Sequence, residues 1–137
     1  MNSDISKYQR QFDKDRFAKH NGISLVEASP GFAKASMEVQ YFHLNSVGVI
    51  HGGALFTLAD FTFAVASNAH GRVALAIDAS ISFFKALQSG VLTATAREIS
   101  LNNRLGTYLI DVSNENEELI ANFRGTVYRR SETLDFD

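Results

Sequence analysis

The hydrophobic pattern of this chain changes its period at Gly71. From Ala54 to His70 no helix breaker occurs and most positions are apolar, above all in the first half, which predicts a helix covered on all sides. His51-Gly52-Gly53 precedes this segment, and Gly71 supplies a stop signal. The segment is too short and too interrupted by polar residues to span a bilayer. We expect the central helix of a globular domain, wrapped by a sheet and by a second subunit.

Beyond Gly71, apolar and polar residues alternate with a period of two, which predicts extended strands. Four such strands are expected: 73–84, 91–101, 104–113 and 118–130. The first of them is expected to be long and largely buried. Short polar turns separate the segments, so consecutive strands should form antiparallel pairs. The tail 131–137 is expected to fray.

The segment before the central helix begins with a short amphipathic helix. Apolar residues recur at helical spacing within 4–19, with Asp4 as the N-cap and Asn21-Gly22 as the stop. A Pro30-Gly31 turn then joins two further strands. These strands are expected at 23–29 and 32–42. Because the first helix is amphipathic, it should pack on the outside of the domain.

The order of the elements indicates an α+β fold. One long apolar helix is buried by a single sheet only if that sheet curls around it. We therefore expect a strongly twisted antiparallel sheet wrapped around the central helix. At 137 residues the chain is one domain, 1–137, with its N-terminal helix in 1–21 and its tail at 131–137.

The composition narrows the classes of partner. The net charge of −2 gives no electrostatic reason to expect a nucleic acid or an anionic membrane. The sequence has no cysteine, which excludes disulfides, thiolate zinc sites and a cysteine nucleophile, and is compatible with a reducing cytoplasm. The N-terminus is too charged for a secretory signal, and no apolar run is long enough to cross a membrane. We expect a cytoplasmic protein.

Asp60 interrupts the apolar helix, and no Lys or Arg lies within four residues of it. A buried carboxylate without a cation is costly and tends to have a raised pKa. One interpretation is that Asp60 faces solvent or is satisfied by a backbone group. The other is a catalytic general base or nucleophile, because perturbed carboxylates cluster at functional sites.

The run that leads to Asp60 carries a family pattern. It consists of Asn45-x2-Gly48-x2-His51-Gly52-Gly53-x2-Phe56-x-Leu58-Ala59-Asp60, followed by Asn68-x2-Gly71. This pattern resembles the hotdog-fold acyl-CoA thioesterases of the phenylacetic acid degradation (PaaI-like) type, over about 22–130. The resemblance implies the hotdog fold and a homodimer whose sheets join edge to edge, often paired into a homotetramer. It also implies an acyl-CoA substrate, with coenzyme A present only as part of that substrate and no other cofactor.

The start of the central helix suits a thioester carbonyl. The N–H of Gly53 has no intrahelical acceptor, and neither has the N–H of Gly52, which is the second candidate. The helix dipole adds positive potential at both. Glycine lets the substrate approach the backbone, although two glycines also suit a plain tight turn. With the resemblance, we expect Gly53 N–H to polarise the carbonyl, Gly52 to bind substrate, and Asp60 to act as general base or nucleophile.

The spacing of these groups bears on assembly. Gly53 and Asp60 are seven residues apart, which is about 10 Å along a helix. A base and an oxyanion donor must both reach one carbonyl at about 3 Å, which one helix does not offer. Two antiparallel helices related by a two-fold axis do offer it. We expect two composite sites per dimer.

The resemblance carries over three further residues. Asn45 orients the nucleophile or water in such sites, although a loop-capping role is common for Asn. His51 either contacts the substrate or holds the loop. Lys85 occupies a position near the coenzyme A phosphates, although Ala86 replaces the usual proline. No metal is expected, because His43 and His51 have no third ligand with suitable spacing.

Hydrolysis of an aryl or short-to-medium acyl-CoA is therefore the leading hypothesis. A non-catalytic acyl-CoA-binding hotdog protein is a second, and the presence of Asp60 argues against it. A hotdog dehydratase acting on hydroxyacyl thioesters is a third, but that chemistry requires a His with a positioned carboxylate in a proline-containing loop.

Overall fold

The computed structural model describes residues 5–136, and within them the chain forms three α-helices and six strands. The helices are Ile5–Phe12 (α1), Arg16–His20 (α2) and Gly52–Asn68 (α3). The strands are Ile23–Ser29 (β1), Phe32–Glu38 (β2), Arg72–Phe83 (β3), Val91–Leu101 (β4), Leu105–Ser113 (β5) and Leu119–Thr133 (β6).

All six strands form one antiparallel sheet in the order β1-β2-β4-β5-β6-β3. Helix α3 lies against every strand of this sheet. Its side chains Leu58, Phe63 and Val65 are buried in the core between the helix and the strands. The expected arrangement, a curved antiparallel sheet around a central apolar helix, is confirmed.

The N-terminal segment forms two helices where the sequence predicted one. Helix α1 ends at Phe12, and Asp15 begins α2 by accepting a hydrogen bond from Ala18 N–H at 3.0 Å. A short acidic side chain that caps a new first turn competes with continuation of the preceding helix. The predicted stop at Asn21-Gly22 is confirmed, with Gly22 in the left-handed region at φ +76°. The predicted cap Asp4 lies outside the described residues.

The prediction of a frayed tail is wrong as far as residue 136. Strand β6 continues to Thr133, and Leu134 N–H donates to Gly71 O at 2.8 Å. Phe136 then packs on Tyr8 of α1, with 4.9 Å between the ring centroids. The end of the chain is therefore anchored on α1 by one of the two apolar residues of the tail, the other being Leu134.

Helix α3 is displaced from its predicted bounds at both ends. It begins at Gly52 because the His51 side chain caps it, and it ends at Asn68, before the Gly71 stop signal. Asn68 ends the helix because its amide bridges to β3, accepting from Ala74 N–H at 2.9 Å. Strand β2 also ends early, at Glu38, because residues Tyr41–His43 form a 3₁₀ turn.

Strand β3 is not largely buried, contrary to the sequence prediction. It lies at the edge of the sheet, where only β6 pairs with it, and its side chains are exposed from Leu75 to Ser80. Ile77, for example, is 61% exposed. Alternation along a sequence identifies the two faces of a strand but not whether another chain covers them.

Gly125 of β6 allows Phe63 of α3 to pack directly against the backbone of the sheet. A Cβ at this position would lie 2.6 Å from Cζ of Phe63 and 3.0 Å from Cε1 of Phe123. Gly-to-Ala changes in strands often stabilise, but here overpacking dominates, and we expect Gly125→Ala to lower the free energy of unfolding by about 1–3 kcal/mol. Urea unfolding measures this loss.

The exposed neighbour Arg124 provides the control, because Arg124→Ala should change stability by no more than about 0.5 kcal/mol. If the clash is the cause, Phe63→Leu should cost less in the Gly125→Ala background than in the wild type. Additive effects of the two substitutions would contradict this explanation.

Candidate active site

The loop that leads into α3 is held by His43. This side chain is buried, its Nδ1 accepts from Gln40 N–H at 2.9 Å, and its Nε2 lies 3.1 Å from Asn21 O. The carbonyl of His43 accepts from His51 N–H at 2.7 Å. Burial lowers the pKa of His43, and the contacts of both ring nitrogens give it a structural role in the loop. The backbone of His51 is thus fixed at the point where the helix begins.

The His51 side chain caps the helix. Its Nδ1 accepts a hydrogen bond from Gly53 N–H at 2.8 Å. The ring lies so close that a Cβ on Gly53 would be 3.0 Å from Nδ1 and 3.2 Å from Cε1. The N–H that the sequence analysis expected to bind the thioester oxygen is therefore already occupied within the chain. The space left by Gly53 serves the imidazole ring.

The N–H of Gly52 differs from that of Gly53. Among the hydrogen bonds of residues 5–136, none has Gly52 N–H as its donor. As the first residue of α3, Gly52 adds this free donor to the positive end of the helix dipole. A groove of about 470 Å³ opens beside it. The groove is lined by Ile50, Gly52, Leu55, Phe83, Phe84, Lys85 and Ala86.

Asp60 is half-buried, and in the described part of the chain no group forms a hydrogen bond with its carboxylate. The backbone-satisfied interpretation therefore has no support. Burial raises the pKa of Asp60, and the negative charge of Asp15 raises it further. Asp78 lies on the exposed stretch of β3 and forms no hydrogen bond with Asp60.

This electrostatic environment predicts a pH effect of Asp15→Asn. If Asp60 acts ionised, kcat/KM falls as the pH drops through its raised pKa. Removing the like charge lowers that pKa, so the acid limb of the profile should move to lower pH. Asn is as good an N-cap as Asp, so α2 should persist.

The pH profile of kcat/KM for wild type and Asp15→Asn measures this shift. The difference should shrink in high salt, because Asp15 is exposed and screened. An unchanged acid limb would contradict an effect of Asp15 on Asp60.

Asn45 supports the loop through one end of its side chain. Its Oδ1 accepts from Val47 N–H at 3.0 Å and from Val49 N–H at 3.2 Å. This is the loop-capping role that the sequence analysis considered. Within residues 5–136 its Nδ2 has no hydrogen-bond acceptor. The fixed Oδ1 of Asn45 also holds its Nδ2 in one orientation, as a free hydrogen-bond donor. The loop-capping role is therefore compatible with a catalytic one.

Lys85 forms an ion pair with Glu118 at the exposed end of the groove. Phe83 and Phe84 line the same groove and are half-exposed. Phe61 and Phe63, by contrast, are buried in the core. Phe56 of α3 is 36% exposed but does not line the groove, so the aromatic residues that a ligand in the groove would contact are Phe83 and Phe84.

The comparisons with known proteins identify the family. The model of the thioesterase superfamily matches residues 47–121. The chain belongs to this superfamily. A putative esterase of Archaeoglobus fulgidus is 49% identical over 88% of this chain and 79% of its own length. The acyl-coenzyme A thioesterase PaaI of Escherichia coli is 36% identical over 90% of this chain and 89% of its own length. The solved structure of E. coli PaaI superposes with a TM-score of 0.91, at 33% identity, over 96% of both chains.

The chain is thus a PaaI-like hotdog thioesterase, a thioester hydrolase. One subunit of this PaaI-like thioesterase brings Gly52 and Lys85 together at the groove, with His51 beside them. It does not bring Asp60 there. Eight residues separate Gly52 from Asp60 along α3, which corresponds to about 12 Å. The donor and the carboxylate of one subunit cannot both reach one carbonyl.

The PaaI-like thioesterase contains a second titratable cluster, which the sequence analysis missed. His70 Nε2 lies 2.6 Å from Oε1 of Glu98, and Tyr108 donates to the same oxygen at 2.8 Å. Burial raises the pKa of Glu98, but these hydrogen bonds outweigh it and leave that pKa below its usual range. Burial and Glu98 raise the pKa of Tyr108. The cluster connects the turn after α3 to β4 and β5. Its three residues lie far apart in the sequence, so their spacing does not reveal it.

Metal-ligating clusters and membrane-spanning helices are both absent from residues 5–136. No group of three or more His, Asp or Glu side chains there is placed to hold a metal ion. None of the helices described has the length and apolar character needed to cross a membrane.

Proposed function

We propose that this thioesterase hydrolyses acyl-CoA thioesters to the free acid and coenzyme A, at composite sites in a homodimer. The observation that carries the proposal is the free Gly52 N–H at the positive end of α3, beside an apolar groove. An unpartnered carboxylate with a raised pKa, Asp60, supplies the second element. The activity named for E. coli PaaI, which is similar over nearly the whole chain, supports an acyl-CoA substrate.

The dimer is proposed to form through β3. This strand is 12 residues long, lies at the sheet edge, and exposes apolar side chains such as Leu75 and Ile77. Its outer edge presents N–H and C=O groups that are free to pair with another strand. Pairing with β3 of a second copy about a two-fold axis would set the two α3 helices antiparallel. Asp60 of one subunit would then face Gly52 of the other.

The reaction needs a polarised carbonyl and an activated oxygen. The thioester oxygen accepts from Gly52 N–H, which stabilises the negative charge that develops as the tetrahedral intermediate forms. The partner subunit's Asp60 takes the proton of an attacking water, or its carboxylate attacks the carbonyl carbon to give an anhydride that water then cleaves. In both routes the C–S bond breaks, the thiolate of coenzyme A leaves, and it gains a proton.

The groove supports an aryl or short-to-medium acyl substrate. Phe83 and Phe84 offer apolar surface, and Lys85 offers a cation for a phosphate of coenzyme A. Lys85 must exchange its ion pair with Glu118 to do so, but a solvent-exposed ion pair contributes little to stability, so the exchange costs little. Asn45, through its free Nδ2, is proposed to orient the carbonyl or the water.

Release of thiol from a panel of acyl-CoA esters tests the proposal. The panel should include aryl esters and straight-chain esters of increasing length. The chain has no cysteine, so a thiol reagent reports only the product. We expect turnover of one or more of these esters by the wild-type protein.

Two other results would favour the alternatives. Tight binding of acyl-CoA without thiol release would favour a binding protein. Reversible hydration of an enoyl-CoA, followed by its ultraviolet absorbance, would favour a dehydratase.

A further inference from the structure

Helix α3 begins with an unusual capping residue. The side chains that cap helix N-termini best are those of Asn, Asp and Ser, and a carboxylate also gains from the helix dipole. In this chain the cap is the imidazole of His51, whose Nδ1 accepts from Gly53 N–H at 2.8 Å. A choice that is second-best for helix stability needs a different explanation.

His51 accounts for three of the four N–H groups that the start of a helix leaves without a regular intrahelical partner. Its side chain accepts from Gly53 N–H. Its carbonyl accepts from Ala54 N–H at 2.9 Å, and its own N–H donates to His43 O at 2.7 Å. Among the described residues, the fourth group, Gly52 N–H, has no acceptor. The cap therefore leaves one donor, on a residue that lines the groove.

The hydrogen bond also fixes the charge of the cap. A ring nitrogen that accepts is unprotonated, so the imidazole is neutral and carries its hydrogen on Nε2. A carboxylate in the same place would put a negative charge next to the donor that meets the thioester oxygen. That charge would repel the oxyanion as it forms. The repulsion would be strong because the cap and the donor belong to adjacent residues.

We propose that His51 is a positioning residue for hydrolysis: an uncharged cap that occupies the other N–H groups of the first turn and reserves Gly52 N–H for the thioester oxygen. This role rests on the proposed function. It requires of residue 51 a hydrogen-bond acceptor without negative charge, rather than the strongest cap.

The substitutions His51→Asn and His51→Asp form a matched pair that tests this role. The two side chains have nearly the same size and both cap helices, and they differ by one charge. His51→Asp should melt at the same temperature as His51→Asn or higher, because a carboxylate is favoured at the helix N-terminus. Its kcat should nevertheless be about a hundredfold lower than that of His51→Asn. Thermal melts and thiol-release kinetics on both variants measure these effects.

The combination of higher stability and lower kcat separates a positioning role from a structural one. Equal kcat for the two variants would overturn the inference. An equally large loss in both, with unchanged melting, would also overturn it, because it would mean that the imidazole itself acts on the substrate.

The wild type is assayed alongside both variants. An inactive wild type would count against the proposed function, whereas an active wild type with equal variants would count only against the role of His51.

Discussion

Replacing Asp60 with Asn should lower kcat about 10²- to 10⁴-fold, the usual contribution of a positioned general base. Asn has nearly the same shape but neither accepts the proton of a water nor attacks a carbonyl. The loss should appear in kcat and kcat/KM together, because the carboxylate acts in the transition state rather than in substrate binding. Thiol release by the purified variant measures it.

The stability of the Asp60→Asn variant separates catalysis from folding. The pKa of Asp60 is raised in the folded protein, so its ionisation as the pH rises lowers the free energy of unfolding. The neutral Asn removes that penalty, and at pH 7 the variant should melt no lower than the wild type. Asp13→Asn is the control, because Asp13 is an exposed carboxylate that lies outside α3 and β3. A loss of activity at Asp13 equal to that at Asp60 would contradict the assignment.

Replacing Gly52 with Pro should lower kcat about 10²- to 10³-fold, the usual effect of deleting one oxyanion donor. Proline has no N–H, and it is favoured at the first position of a helix, which Gly52 occupies. The preceding residue must be extended, and His51 already is, at φ −70° and ψ 134°. The substitution therefore removes the donor while the helix persists.

Gly52→Ala is the matched control for this variant. A Cβ at Gly52 would lie 3.1 Å from Cζ of Phe83, the far end of a side chain, so alanine and proline both displace this ring slightly. Alanine keeps the N–H. We expect Gly52→Ala to retain most of the kcat that Gly52→Pro loses, in thiol-release assays on both. Equal losses would mean that crowding at Phe83, rather than the N–H, explains the effect.

Much of the fold could be predicted because its signals are local. The period of two gave β4 and β5 within a residue of their observed bounds, and the unbroken apolar run gave α3. The displaced ends have local causes that side chains decide. His51 starts α3 earlier by capping it, and Asp15 divides the N-terminal helix in two.

The exposure of β3 could not be predicted from alternation. A strand whose apolar side chains are covered by another subunit has the same sequence pattern as one buried within its own chain. Leu75 and Ile77 therefore gave the prediction of a buried strand, although one subunit leaves them exposed. The anchoring of the tail by Phe136 was likewise hidden, because it depends on a contact with Tyr8 at the other end of the chain.

The residues proposed for the candidate site follow from the sequence, but their hydrogen bonds do not. The sequence identified the glycines at the start of α3, yet it could not show that His51 occupies Gly53 N–H. That choice depends on the orientation of one side chain, which spacing does not encode. It moves the proposed donor by one residue, to Gly52. Sequence spacing nevertheless indicated that the donor and the carboxylate of one helix lie too far apart to reach the same carbonyl.

The composite site is the central claim, and a mixed dimer tests it most directly. One subunit carries Asp60→Asn and the other carries Gly52→Pro, with different affinity tags so that only the heterodimer is purified. Each parent homodimer has two defective sites. If each site combines Gly52 of one subunit with Asp60 of the other, the heterodimer has one intact site and should recover about half of the wild-type kcat. A heterodimer as inactive as its parents would contradict the account.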